Sequence, residues 1–313
     1  MLGPRPIRRG RARFHEQEDR SAVVSPAVRR VVVLPERGKL IVATDLQGHV
    51  EDFERIAAIF ERAAREPDGA VLVVTGDLVH GPELAEMDWP DYLGSYYEGD
   101  SPGVLERARD LQNRYPDRVH YLLGNHEHAH VGGPIVAKFF PDEAMRLEQL
   151  LGDDGTQAMR DWFRTWPFVA VAPKAQLVML HAAPHARIQS RDDLENLSLD
   201  GCTGLTLEEM AARGTLGALL WARTTSSDRA WAFLRAIHPN ARVAVYGHDV
   251  ARTGYAIDRE PMLCVSTSFG CFDGDKLYLE WDLSEPAMSA EDAARRGLRI
   301  LHPGAPAVHR GAF

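Results

Sequence analysis

The sequence predicts a layered α/β protein, on three observations: short unalternated apolar runs recur along it, helical patterns separate several of them, and one late run alternates instead. The unalternated runs are RVVVL (30–34), LIVAT (40–44), AVLVVT (70–75), VHYLL (119–123), QLVML (176–180), RVAVY (242–246) and MLCVS (262–266). Their length suits strands, and their lack of alternation suits strands covered on both faces. After the second run, Phe53, Ile56, Ala57, Phe60, Ala63 and Ala64 repeat at helical spacing, which gives a helix over 51–66. Similar patterns give helices over 103–114 and 228–237. KLYLEWD (276–282) alternates as a half-exposed antiparallel strand does, so the sheet is mixed or two sheets lie face to face.

Composition bounds the organisation. With 313 residues and 45% hydrophobic content, the chain buries a large core and reads as one catalytic-sized domain with additions. The opening 1–30 carries eight Arg against three acids without apolar periodicity, and is expected to be a flexible basic tail. The domain then runs over 31–285, and 286–313 forms a C-terminal extension. A net charge of −9 argues against nucleic acid as a partner, because phosphate backbones are bound by clustered Lys and Arg. No apolar run approaches the roughly 20 residues of a membrane crossing, and the N-terminus lacks an apolar signal core, so no membrane partner and a cytoplasmic location are expected. Cys202, Cys264 and Cys271 form neither a CxxC pair nor an even framework, as suits reduced thiols.

The residues that end the strands carry the chemistry. Asp45, Asp77, the pair Asn125 and His126, His181 and His248 follow five of the runs, at the edge where open α/β sheets build their sites. A single Asp there reads as a helix cap; a series of Asp, Asp, Asn-His, His and His does not. Carboxylate, amide oxygen and imidazole without thiolate suit Mn²⁺, Fe²⁺ or Zn²⁺. The donors are enough for two ions, the arrangement that drives in-line displacement at phosphorus.

These blocks, in order, are TDLQGH (44–49), GDLVHGP (76–82), LLGNHE (122–127), LHAAP (180–184) and GHDVARTGY (247–255). Over residues 38–282 the chain resembles the calcineurin-like metallophosphoesterases, most closely the bacterial type of the serine/threonine phosphoprotein phosphatase branch. That branch reads GDxHG, GDxVDRG, GNHE, HGG and a late His. The resemblance implies an α/β/β/α sandwich of two mixed sheets flanked by helices. It also implies that Asp77 bridges two divalent ions, with Mn²⁺ first and Fe²⁺, Zn²⁺ or Mg²⁺ as alternatives. Asp45 then binds the first ion, and Asn125, His181 and His248 bind the second. His126 is implied as the general acid at the leaving oxygen. His128, His130 and His185 have no counterpart, and read as solvated loop histidines.

Three departures from the pattern matter. Gln47 stands where the family has a first-metal His, offering an amide oxygen in place of an imidazole, with His49 as the alternative donor. GDLVHGP lacks the Asp-Arg of GDxVDRG: read without a gap, His80 takes the place of the Asp that orients the catalytic His; read with one deletion, it replaces the phosphate-binding Arg. Arg223, in LLWARTT, resembles the W-x-R of bacterial members and is implied as the remaining phosphate clamp. Lastly, residues 83–101 form an insertion with six acids, four aromatics and no Lys or Arg, either a solvated loop or a rim over the metals.

The implied activity is hydrolysis of phosphate monoesters of the phosphoserine or phosphothreonine kind, on a protein or small molecule, by a hydroxide held between two metals. Two alternatives stand beside it. One is a nucleotide hydrolase or phosphodiesterase acting on a diadenosine tetraphosphate-like substrate, suggested by the GDLV block. The other is a degenerate member that binds metal with little turnover, suggested by Gln47 and the missing Arg.

Overall fold

The computed structural model describes residues 29–212 and 214–310; all of the expected basic tail except Arg29 and Arg30 lies outside the described residues. The strands are β1 (Val31–Val33), β2 (Lys39–Ala43), β3 (Ala70–Val74), β4 (Val119–Tyr121), β5 (Val169–Ala172), β6 (Leu177–Leu180), β7 (Val243–Tyr246), β8 (Tyr255–Ala256), β9 (Met262–Val265), β10 (Leu277–Asp282) and β11 (Leu298–Ile300). Between them lie α1 (Val50–Ala64), α2 (Ser101–Arg114), α3 (Asn125–His128), α4 (Glu143–Phe163), α5 (Asp192–Glu195), α6 (Leu207–Ala212), α7 (Gly214–Trp221), α8 (Ser227–Ile237) and α9 (Ala290–Gly297).

Two mixed sheets result. One has the order β1-β5-β6-β7-β9-β8, the other β11-β10-β2-β3-β4. In the second sheet β2, β3 and β4 run parallel, while β10 pairs antiparallel with both β2 and β11. The pleat explains the unalternated runs. Leu40, Val42, Val71 and Val73 meet Leu177, Met179, Val243, Val245 and Leu263 between the sheets, whereas Ile41, Ala43, Leu72 and Val74 face outward into a cluster with Phe53, Ile56 and Phe60 of α1 and Val104 and Leu111 of α2. Each strand is therefore apolar on both faces because each face is covered. The expected sandwich of two sheets between helices is the fold observed.

Some elements were not legible. β5 and α4 were not expected; α4 is broken at Gly152, whose φ of 66° and ψ of 178° part it into two helical pieces. The expected antiparallel strand at 276–282 is β10, but it is not half-exposed: five of its six residues are buried or partly buried. The reason lies in residues 286–310, set apart above as an extension. There, α9 buries Ala290, Ala293 and Ala294 against Leu279 and Trp281, in the cluster between the sheets, and β11 pairs along β10. Among the described residues no helix is long and apolar enough to cross a membrane.

Candidate metal centre

The C-terminal ends of β2, β3, β4, β6 and β7 deliver Asp45, Asp77, Asn125, His181 and His248 to one edge of the sandwich. The loops that carry them are held in costly conformations. Six non-glycine residues have positive φ among the described residues, and five of them are candidate site residues: Asp45 (48°), Gln47 (38°), Asp77 (54°), His80 (65°) and His248 (67°). Such backbone persists only where the surroundings over-determine it, and it concentrates at functional sites. Glu127 supplies much of that restraint. Its carboxylate accepts from the backbone N–H groups of Asp77 (2.9 Å), Leu78 (2.8 Å) and Gly124 (3.1 Å), tying the loop after β3 to the loop after β4.

These loops touch backbone to backbone. Gly76 has φ 106°, and a Cβ there would lie 2.7 Å from both Cα and N of Gly124. We expect Gly76→Ala to cost at least about 1 kcal/mol in urea unfolding, since it combines a left-handed φ with a backbone clash. An unchanged denaturation midpoint would mean that the loops can part without loss.

Three donor atoms converge between the sheets' ends. Asn125 Oδ1 lies 2.8 Å from His181 Nε2 and 2.9 Å from His248 Nδ1, and the two imidazole nitrogens are 3.2 Å apart. Asp77 Oδ1 is 3.5 Å from His181 Nε2. His181 Nδ1 donates to the Thr75 carbonyl at 2.9 Å, which leaves Nε2 a bare lone pair. Asn125 Oδ1 is also an acceptor only. Two buried acceptors 2.8 Å apart repel unless a cation lies between them. Spacings near 3 Å are the edges expected of donors about 2.1 Å from a shared ion. The set fits a divalent ion.

Asp45 completes the surroundings. Its two oxygens accept from the His248 backbone N–H at 3.1 and 3.0 Å. Burial, with Asp77 beside it, pushes its carboxyl up, and burial likewise pushes up Asp77. Two carboxylates buried together raise each other's proton affinity, and a cation relieves both.

Gln47 fits less well. Its side-chain oxygen, the one offered to the first ion, accepts a hydrogen bond from Lys138 Nζ at 2.9 Å. His49 is not an alternative donor: Nδ1 caps α1 by accepting from Asp52 N at 3.3 Å, and Nε2 lies 3.2 Å from Lys276 Nζ. The acidic insertion supports this loop from outside. Tyr97 is buried, donates its phenol to the Gln47 carbonyl at 2.9 Å and stacks on His49 with centroids 4.1 Å apart. Around it Met87 and Tyr92 remain exposed, so the segment is a rim packed against the centre's flank.

His126 sits at the head of a chain of imidazoles. Its Nδ1 is 2.9 Å from His80 Nδ1; His80 Nε2 is 2.9 Å from His130 Nε2; His130 Nδ1 is 2.9 Å from Glu148 Oε1. Against the cost of burial, His130 and the bidentate Arg160 hold Glu148 below its ordinary value. The ionised carboxylate only accepts, so His130 must donate from Nδ1. His80 then donates from Nε2, and His126 from Nδ1. This leaves the His126 Nε2 lone pair turned to the metal donors, 3.8 Å from Asp77 Oδ2. Burial holds His80 and His126 well below their ordinary values, as neutral imidazoles. Both nitrogens of His80 are spent inside the chain, on His126 and His130, which fits the position of the residue that orients the catalytic His and not that of a phosphate-binding Arg.

Several expectations change. His128 and His130 are both buried, not solvated; His128 Nε2 meets the Leu199 carbonyl at 2.8 Å. Arg223 lies at the rim, paired with Asp249 at 2.7 Å and 3.5 Å from the His248 carbonyl. Glu143 had no signal in the sequence. One oxygen accepts from Phe139 N at 2.6 Å, and the other, buried and without a hydrogen bond, is 3.4 Å from His80 Nδ1 and 3.6 Å from His126 Nδ1. Burial raises its carboxyl to about 7.

The sequence profile described as calcineurin-like phosphoesterase matches residues 38–267. No curated protein matches the chain. Among solved structures, the fold is similar to a protein serine/threonine phosphatase from Saccharomyces cerevisiae at 16% identity and TM-score 0.55, covering 81% of this chain and 76% of that one. It is similar to a cold-active protein-tyrosine phosphatase of a psychrophilic Shewanella at 15% identity and TM-score 0.51, covering 82% and 78%. A metallophosphoesterase from Sphaerobacter thermophilus aligns at 12% identity and TM-score 0.40, over 79% and 84%. At these identities the likeness is one of fold.

Proposed function

This chain belongs to the calcineurin-like phosphoesterase family, whose members work with divalent metals, and from that premise we propose that it is a metal-dependent phosphomonoesterase acting on phosphoserine- or phosphothreonine-type esters. The observation that carries the reading is the convergence of Asn125 Oδ1, His181 Nε2 and His248 Nδ1 within 3.2 Å of one another, beside Asp77 and under His126. Asn125, His181, His248 and Asp77 would hold a divalent ion there, with Mn²⁺ favoured by the mixed oxygen and nitrogen donors, and such an ion would polarise the phosphoryl group and acidify the attacking water. The chain's own residues do the rest. Asp77 and Asp45 supply negative charge to hold the ion, and Asn125 fixes an oxygen donor on α3. His126, neutral with a free Nε2 lone pair, takes a proton from solvent on Nε2 before the chemical step and gives it to the leaving oxygen as the P–O bond breaks, while Glu143, 3.6 Å from Nδ1, faces the imidazolium form. Arg223 steadies the phosphate from the rim by exchanging Asp249 for it.

The substrate is a phosphorylated protein or small molecule, and the setting is cytoplasmic. Three unpaired, buried cysteines support a reducing compartment, and a net charge of −9 supports a partner other than nucleic acid. The test is chelator-stripped protein titrated with Mn²⁺, and in parallel with Fe²⁺, Zn²⁺ and Mg²⁺, and assayed on p-nitrophenyl phosphate, a phosphoserine peptide, bis-p-nitrophenyl phosphate and diadenosine tetraphosphate. We expect activity to return with metal and to be highest on the two monoesters. A preference for the diester or the dinucleotide would reassign the substrate class, and no return of activity with any metal would make the chain a binder.

A further inference from the structure

Lys138 has no place in the family pattern described above, yet it reaches the candidate centre. It stands on the loop before α4, 91 residues from Gln47 in sequence, and its ammonium donates to Gln47 Oε1 at 2.9 Å. The same ammonium lies over the Phe269 ring, 3.4 Å from its centroid, with the Phe139 ring 5.3 Å away. The residue as a whole is exposed, but its ammonium is held between the Gln47 oxygen and the Phe269 ring. Phe139 N donating to Glu143 Oε1 at 2.6 Å pins the backbone next to it.

We propose that the Lys138 ammonium stands in for the first metal ion, so that this chain binds a single divalent ion, at Asn125, His181, His248 and Asp77, and sets a lysine beside it. The substitution at position 47 and the lysine explain each other. An imidazole at position 47 would offer a strong nitrogen donor to an ion; a glutamine offers an amide oxygen, which is a good acceptor for an ammonium and a weak ligand for a borderline metal. With Oε1 given to Nζ, the first position keeps only the carboxylates of Asp45 and Asp77. An ion entering there would also meet a positive charge within a few ångströms. The aromatic face of Phe269 holds a cation without competing as a ligand. An ammonium can neutralise one phosphoryl oxygen and donate to it, as the absent Arg fork would have done, though as a compact point charge.

This inference rests on the phosphoesterase reading for the identity of the tight ion, but its test reads metal rather than turnover. Stripped protein is equilibrated with saturating Mn²⁺, bound metal is counted by elemental analysis, and spin coupling is read by electron paramagnetic resonance. The wild type is expected to hold one ion with the six-line spectrum of isolated Mn²⁺. Lys138→Met, and Lys138→Gln as a second variant checked by thermal melting, are expected to hold two ions with a coupled spectrum. With one Mn²⁺ bound, the affinity for inorganic phosphate should fall by about tenfold in either variant, the lower end of a charge-assisted hydrogen bond's worth. Two ions in the wild type would overturn this inference and leave the phosphatase reading intact. One ion in both folded variants would also overturn it, because the ammonium would then not be what excludes the second. No bound ion in the wild type would overturn both readings.

Discussion

Asp77→Asn is expected to empty the centre of tightly held metal and to lower turnover by at least about 10³-fold, the scale of removing a charge-stabilising group from a reacting centre. Asparagine is the informative replacement. It tolerates the left-handed backbone that Asp77 adopts (φ 54°), where alanine would add strain of its own. It also keeps an oxygen to accept from His126 N, now at 3.2 Å, so the change is confined to one negative charge. Without that charge, Asn125, His181 and His248 are three neutral donors, and Asp45 alone balances the ion. A second readout separates loss of metal from loss of fold. In metal-free wild type, burial holds the Asp77 carboxyl above its ordinary value. A raised native value means that the native state binds more protons than the unfolded one, so the metal-free protein loses stability as pH rises from about 4 toward that raised value. Metal-free Asp77→Asn should therefore be more stable than metal-free wild type near neutral pH, and its melting temperature should depend less on pH. Retained metal with only a few-fold loss in rate would show that Asp77 is not a ligand.

What could be read from the sequence divides along a physical line. The strands were visible because both of their faces are covered, so each shows as a solid apolar run such as LIVAT or AVLVVT. The donors were visible because they lie within a few residues of those runs, in a fixed order. What the sequence does not show are partnerships across long separations. Gln47 looks like a weakened ligand until Lys138 is seen on its oxygen. His80 could replace either member of the Asp-Arg pair until its two nitrogens are found on His126 and His130. His130 reads as a loop residue because Glu148, which fixes its tautomer, is on a helix whose pattern is interrupted at Gly152. Likewise Glu127 is legible as part of GNHE, but not its three hydrogen bonds to backbone of two loops. β5 is illegible for a local reason: Pro167 and Pro173 leave only a short run between them, and short apolar runs are the weakest of such signals.

His126→Ala is expected to behave as the opposite of Asp77→Asn: metal retained, rate lost. The imidazole is outside the trio of atoms that converge on the ion, and its nearest approach to Asp77 is 3.8 Å; its other nitrogen is spent on His80 at 2.9 Å. Removing it should leave the count of bound metal unchanged. The loss in rate should be about 10²- to 10⁴-fold, the usual contribution of a positioned acid or base, but not on every substrate. A serine alkoxide is a poor leaving group and needs a proton as the P–O bond breaks, whereas p-nitrophenolate leaves unaided. The deficit should therefore be large on a phosphoserine peptide and small on p-nitrophenyl phosphate. His80→Ala supplies the control for position: it breaks the chain that holds the His126 tautomer while leaving the acid itself, so it should cost less than His126→Ala and keep the same order of leaving-group sensitivity. An equal loss on both leaving groups would make His126 a binding residue rather than an acid. Metal lost together with rate would make it a ligand, and the chain of His80, His130 and Glu148 behind it would then serve to aim a metal donor instead of a proton.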